Sequence, residues 1–359
     1  MSHFTPPLRT LGNTGIRVSL LGMGCWAIGG PDTNLGMSIG WGHHDEAAAL
    51  SGLQRAHELG ITYFDTADIY GHGRSERLLG RFLRQVSRAD VVLGSKVGYF
   101  QGCAPNAYHP VHMRHQLEMS VSNLGTDYLD IYGFHNAAFG QDNEYLEDAV
   151  AAMQRFKAEG KIRAVGQRGP HTYGPDRLAV GDTPKENKQD RFFDLVRIIR
   201  PDVIQVRYNI LTPFESTAAV LDWAETHEVG VILNKPLAQG LLLDKYDPAT
   251  PPVFSEGDHR LRKPWFLAAA LRILHKRMEL LKARFGQRTE DLVRVALQYC
   301  FARAQRAVVV VGIRNPNQAT MNVSACATAP LLPEDVVFIQ EVMRNVGTEL
   351  GGFISCHPR

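Results

Sequence analysis

The chain has 359 residues, 44% hydrophobic and 21% charged, which is enough apolar material for a full core and excludes a disordered or fibrous chain. Lys and Arg number 39 against 37 Asp and Glu, a formal charge of +2, and no basic run is interleaved with aromatics, so nothing points to nucleic acid. No apolar run approaches the ~20 residues of a membrane span, and the start MSHFTPPLRTLGNTG lacks a signal-peptide layout, so a cytoplasmic location is the default expectation.

Short apolar runs alternate with longer segments of helical period, the signature of βα units and a parallel sheet. In chain order, the NTG turn in LGNTGIRVS predicts a small hairpin that could plug the bottom of a barrel. Eight strands are then predicted, over 19–26, 61–67, 91–98, 128–135, 163–169, 203–209, 229–235 and 307–313. Between them lie DEAAALSGLQRAHELG, PVHMRHQLEMSVSNLG, LEDAVAAMQRFKAEG and STAAVLDWAETHEVG, with apolar residues at three-and-four spacing and Gly stops, which read as an outer ring of helices. Two long polar stretches, 170–192 and 246–266, follow the fifth and seventh strands. They are expected as loops at the barrel mouth, lids or else tolerated surface insertions. Eight strands close a (β/α)8 TIM barrel, one domain over 1–359. A doubly wound sheet would normally carry a GxGxxG turn after its first strand, and GMGCWAIGG lacks that spacing. Five scattered cysteines, Cys25, Cys103, Cys300, Cys326 and Cys356, show no CxxC spacing, so neither a disulfide framework nor a metal site is expected.

The stretch FDTADIYGHGRSERLLG sets Asp65 at the end of the second strand and Tyr70 in the following loop. Lys96 ends the third strand and His135 the fourth, so all four face one mouth. Singly, each has an ordinary alternative: a cap, a packed ring, a satisfied core histidine. Together they suggest a relay. A phenol with a pKa near ~10 is a poor acid at neutral pH, and a nearby ammonium lowers it. Asp65 would hold Lys96 charged, Lys96 would tune Tyr70, and His135 would orient a carbonyl or share its proton. Asp68 reads as a turn cap, with Ser75 and Glu76 in the first turn of a helix that packs Leu78 and Leu79.

The chain resembles an aldo-keto reductase, from LRTLGNTGIRVSLLGMGCW through FDTADIYGHGRSERLLG, SKVG and DYLDIYGFH to GIRNPNQATMN. That resemblance implies the barrel, a nicotinamide cofactor held extended without a Rossmann fold, and the tetrad Asp65, Tyr70, Lys96 and His135, with Tyr70 as the acid. In GIRNPNQATMN it implies Arg314 against a 2′-phosphate, with Gln318 and Asn322 near the adenine ribose and base. Arg314 as a solvated helix-start residue is the alternative. A guanidinium there favours NADP(H) over NAD. Gln205 resembles the ligand of the nicotinamide carboxamide, and Tyr208 is a weaker candidate for lining the site. The first strand end (Gly24, Cys25, Trp26), the segment LNKPLAQGLL (Asn234, Lys235, Pro236, Leu237, Gln239, Gly240) and Gly312 complete the expected cofactor contacts, with Lys235 near the pyrophosphate. GDHRLRK resembles a lid over the cofactor.

Two departures stand out. Where the family usually has a GVSN-like sequence, this chain has VGQRGPH, so either Gln205 and the backbone hold the carboxamide alone or Arg168 reaches the cofactor or an anionic substrate group. The usual HWP or HxP is HNA, placing Asn136 on one wall of a substrate pocket shared with Trp26, Tyr70, Tyr99 and His135, although Trp26 could simply cap the barrel. The leading expectation is an NADP-dependent reductase of a polar or sugar-like aldehyde or ketone. The alternatives are an aldose or alcohol dehydrogenase, a redox-neutral sugar-modifying enzyme, and a slow-turnover nicotinamide-binding regulatory subunit.

Overall fold

The computed structural model describes residues 4–43, 45–100, 102–170, 187–213, 215–303, 306–346 and 349–350. A hairpin of β1 (Leu8–Thr10) and β2 (Arg17–Ser19) leads into β3 (Leu21–Gly24), and a second hairpin, β4 (Thr33–Asn34) and β5 (Met37–Ser38), follows it. Seven more strands come after: β6 (Tyr63–Asp65), β7 (Val92–Val97), β8 (Leu129–Phe134), β9 (Ile162–Arg168), β10 (Val203–Arg207), β11 (Gly230–Asn234) and β12 (Val308–Gly312). Strands β3 and β6 to β12 form a closed parallel barrel in sequence order, with β12 pairing back onto β3 through Val309–Leu21 and Val310–Gly22. Seven of the eight fall inside their expected ranges, and β9 starts one residue ahead of its own. Their near-continuous apolar runs are buried on both faces, as parallel strands between a filled interior and a helix layer must be.

Helices α1 (Glu46–Glu58), α2 (Arg74–Leu83), α3 (Pro110–Leu124), α4 (Leu146–Ala158), α5 (Lys188–Ile199), α6 (Ala218–Thr226), α7 (Ala268–Phe285), α8 (Thr289–Arg303), α9 (Pro316–Cys326) and α10 (Pro333–Met343) are the α-helices among the described residues, with short 3-10 turns between elements. Their ends follow local chemistry. Asp45 caps α1 by accepting from the backbone N–H of Ala47 and Ala48, at 2.8 and 3.1 Å, and α3 runs from Pro110 to a left-handed Gly125. The stretch expected as a loop over 170–192 ends sooner: Asn187 accepts from Gln189 N at 2.9 Å and starts α5, and residues 171–186 of that loop lie outside the described residues. Between β11 and β12, α7 and α8 replace the single helix of a regular unit, and α10 docks on α7 through Arg284 and Asp335.

The expected plug is in place. Leu11, Ile16 and Val18 of the first hairpin are essentially inaccessible and pack with Tyr63, Val92, Ile131, Val203 and Val308 inside the barrel floor. One glycine shapes the level above. A Cβ on Gly94 would meet the Tyr63 hydroxyl at 2.5 Å, so only glycine lets that ring lie across β7 and reach Asp65, at 3.1 Å. No helix among the described residues is long and apolar enough to cross a membrane.

Candidate active site

Asp65, Tyr70, Lys96 and His135 converge at the C-terminal ends of the barrel strands. Both Asp65 and Lys96 are buried, and Lys96 Nζ lies 2.9 Å from each carboxylate oxygen while also donating to the carbonyl of Thr66 at 2.5 Å. Asp65 Oδ1 accepts in addition from the Tyr63 hydroxyl and from Gln205 Nε2, at 3.1 and 3.0 Å, so donors on several sides fix its orientation. Tyr70 sits above, its ring centroid 5.4 Å from Lys96 Nζ, 5.6 Å from the His135 ring and 6.0 Å from the Trp26 ring on which it stacks. The tight turn that carries it presses against Gly29, where a Cβ would meet the Tyr70 backbone at 2.9 Å.

The electrostatics correct the expected relay in one respect. Burial and then Asp65 push the Tyr70 hydroxyl well above the ordinary tyrosine value, and the cation acting to lower it is Arg168 rather than Lys96. The ammonium of Lys96 is matched by Asp65 at contact distance, which leaves little net field at the phenol. His135 is held neutral by burial and by Arg168, Lys96 and Lys235. Arg168 Nη1 donates to the Tyr99 hydroxyl and the His135 carbonyl, both at 3.3 Å. Below Tyr70, the Asp68 carboxyl is buried, accepts from Gln116 Nε2 at 3.0 Å and is pushed up to about 7, chiefly by burial.

A cavity of about 640 Å³ opens over this group. Tyr70, His135, Trp26, Tyr99 and Arg168 line one part. Gly24, Gln205, Asn234, Lys235, Pro236, Leu237, Gln239, Gly240, Gly312, Arg314, Gln318 and Asn322 line the rest. Lys96 does not reach this wall and borders only a void of about 20 Å³ beneath, with Asp65 and Gln205. Three expected lining residues lie elsewhere. Cys25 is fully buried, its thiol directed to the Met23 carbonyl among the strand–helix core, whereas its neighbours Gly24 and Trp26 line the cavity. The side chain of Asn136 is tied to the loop between β7 and α3 by Gly98 O and Tyr108 Oη, and to its own loop by Ala138 N. Tyr208 stacks on Tyr299 in the barrel–helix core.

The cavity wall suits an extended, phosphate-bearing molecule. Lys235 is pushed well below the ordinary lysine value by burial and by Arg207, Arg168 and Lys263, while burial and Arg260 lower Arg314, so cations crowd where anionic oxygens would relieve them. Asn234 Oδ1 and Asn322 Nδ2 are buried without a hydrogen-bond partner on the same wall. Gln318 is less available than expected, since its Oε1 accepts from Arg314 N at 2.9 Å. Among the described residues, no group of three or more metal-ligating side chains is present.

Two segments that sequence reasoning undervalued complete the wall. The β4–β5 hairpin contributes Asn34 and Met37, with Ile39 and Trp41 just beyond it. Its TNLGMS sequence, with positive φ at both Leu35 and Gly36, is the signal that could have exposed it. The strap GDHRLRK adds His259, Arg262 and Lys263, and is joined to the hairpin end by the Gly40–Asp258 bridge and by Gly257 O accepting from Asp32 N and Gly40 N. Lys245, in the preceding loop, also lines the cavity near Arg314.

Known proteins match this arrangement over most of the chain. L-galactose dehydrogenase from Arabidopsis thaliana is 29% identical over 342 residues, covering 93% of this chain and 92% of its own. NADH-specific methylglyoxal reductase from Escherichia coli is 26% identical, over 88% and 92%. Among solved structures, an aldo-keto reductase from Bacillus halodurans superposes with a TM-score of 0.68 at 24% identity, over 94% of this chain and 96% of its own. A glycerol dehydrogenase from Gluconobacter oxydans gives 0.71 at 22%, over 94% of each. The profile of the Aldo/keto reductase family matches residues 20–344, and with the closed eight-stranded barrel this establishes that the chain is a member of the aldo/keto reductase family, an oxidoreductase fold acting with nicotinamide cofactors on small carbonyl compounds.

Proposed function

We propose that the protein is an NADPH-dependent reductase of a polar, sugar-like aldehyde or ketone, with Tyr70 as the proton donor. The observation that carries this reading is the Tyr70 hydroxyl on the cavity wall, kept protonated by burial and set between His135 and the buried Asp65–Lys96 pair. The wall from Gln205 to Asn322 would hold the nicotinamide cofactor, which would supply a hydride to the carbonyl carbon. The residues do the rest. Neutral His135 donates a hydrogen bond to the carbonyl oxygen and fixes it beside Tyr70. As that oxygen becomes basic it takes the Tyr70 proton, and the phenolate left behind is stabilised by Arg168. Asp65 holds Lys96 in place, while Tyr63 and Gln205 keep Asp65 oriented.

Arg314, flanked by Lys245 and Arg260, favours the 2′-phosphate of NADPH over the hydroxyl of NADH. The resemblance to a relative named for L-galactose oxidation supports a second reading, the same proton path run towards a lactone or ketone with Tyr70 receiving the proton. Incubation with NADPH and a panel of aldoses, keto-sugars and simple aldehydes, and with NADP+ and the matching polyols and aldoses, separates the directions. No absorbance change at 340 nm with any pair, about the wavelength at which the reduced nicotinamide absorbs, would overturn both.

A further inference from the structure

His259 in the strap has no part in the steps above, yet it is one of the best-defined side chains on the cavity wall. It is 2% exposed, and its ring lies 4.1 Å from Trp26 and 4.9 Å from Trp41, centroid to centroid. Its backbone N–H and its Nδ1 both reach the carbonyl oxygen of Gly40, at 3.0 and 2.8 Å. A carbonyl oxygen can only accept, so that partner assigns the ring proton to Nδ1 and leaves a lone pair on Nε2. Burial, with Lys235, Lys263 and Arg260 nearby, lowers the imidazole to about 2, so it stays neutral in any working buffer. Nε2 is buried and has no hydrogen-bond partner among the described residues. The strap is rigidly placed: Asp258 Oδ1 accepts from Arg260 N at 2.9 Å, and the Gly40–Asp258 bridge fixes it to the hairpin.

A buried acceptor held ready in a ligand cavity is matched by a donor on the ligand. The neighbouring charged groups, Lys235, Lys263 and Arg262, are donors, so an anionic oxygen has partners elsewhere on this wall, whereas an O–H beside Trp26 and Trp41 meets an acceptor in this nitrogen. Trp26 connects the positions, stacked on Tyr70 on one side and against His259 on the other, and offers an apolar face between them. We propose that Nε2 of His259 accepts a hydrogen bond from a hydroxyl of the carbonyl substrate, so that the cavity selects hydroxyaldehydes and hydroxyketones over their deoxy counterparts. This rests on reading the cavity as a carbonyl-reducing site.

The test compares glyceraldehyde with propanal, and erythrose with butanal, using wild type, His259→Phe, which keeps the aromatic packing, and His259→Gln, which restores an acceptor. His259→Phe is expected to lose about tenfold or more in kcat/KM on the hydroxyaldehydes, mainly through KM, to stay within about twofold on the deoxy substrates, and to be partly rescued by Gln. Equal losses on both classes, or none on either, overturn the proposal. NADPH affinity measured in parallel should be unchanged, and a matching loss would assign the acceptor to a cofactor hydroxyl instead, overturning it too. If wild type reduces none of these carbonyls, the carbonyl-reductase reading fails separately, and erythritol binding to the NADP+ complex, read by tryptophan fluorescence, decides. Weaker binding by His259→Phe supports the acceptor role, and equal or absent binding in wild type removes it.

Discussion

Lys96 Nζ lies 2.9 Å from the carboxylate of Asp65, and both groups are buried beneath the ring of Tyr70. Breaking such a pair from one side strands a charge, whereas removing both sides does not. Asp65→Asn should therefore lose about 3–5 kcal/mol of stability in denaturant unfolding, and Asp65→Asn with Lys96→Met should regain most of it. Activity should not return with the stability. Recovery of turnover in the double variant would show that the pair serves folding alone.

Tyr70→Phe keeps the stacking on Trp26 and deletes the proton. Turnover of any carbonyl substrate should fall by about 10²-fold or more, with NADPH affinity within about twofold of wild type, as read by stopped-flow reduction and fluorescence titration. Unaltered turnover would eliminate Tyr70 as the acid.

Arg314→Ala separates the two nicotinamide cofactors. NADPH binding should weaken by about tenfold or more and NADH binding far less, since only the former places a doubly charged phosphate against the guanidinium. Equal losses in a titration of both would refute the assignment.

Asp68 supplies a pH dependence of defined sign. Its folded-state value is about 7 against 3.8 for the free side chain, so between those limits the folded state holds a proton that the unfolded state has released. Stability contributed by this group is therefore greatest in acid, falls as pH rises through that window, and levels off above about 7. Asp68→Asn cannot titrate. Relative to wild type it should gain on the order of a few kcal/mol between pH 4 and pH 8, seen as diverging Tm curves. Parallel curves would contradict the buried-carboxyl account.

The barrel was legible because eight apolar runs and their helical spacers repeat with one rhythm, and even the plug announced itself in the NTG turn. Position along a strand also located Asp65, Lys96 and His135 at one mouth. What failed was side-chain direction and long-range docking. Cys25 and Asn136 each neighbour a residue that does face the cavity, yet one turns into the strand–helix core and the other bonds across to the loop between β7 and α3. The start of α5 was hidden in a polar stretch whose cap, Asn187, resembles any other loop asparagine. The GDHRLRK strap was singled out as a lid, but the setting of His259 within it could not be read, because it depends on the strap meeting a hairpin end more than two hundred residues away in sequence. Glu76 fell between these cases: it does stand in the first turn of α2, but it is buried against Ser95 and Asn123 instead of facing water. The tuning of Tyr70 was misassigned for an electrostatic reason, since a lysine satisfied by a contact carboxylate has little field left over.

The hairpin that seals the floor makes the barrel a cup and not a pipe. Leu11, Ile16 and Val18 leave no passage at that end, so ligands reach the cavity from the side where the strands end. Entry and exit share that one face of the barrel, and whenever the chemistry is fast the slowest exit from it sets the pace of the cycle.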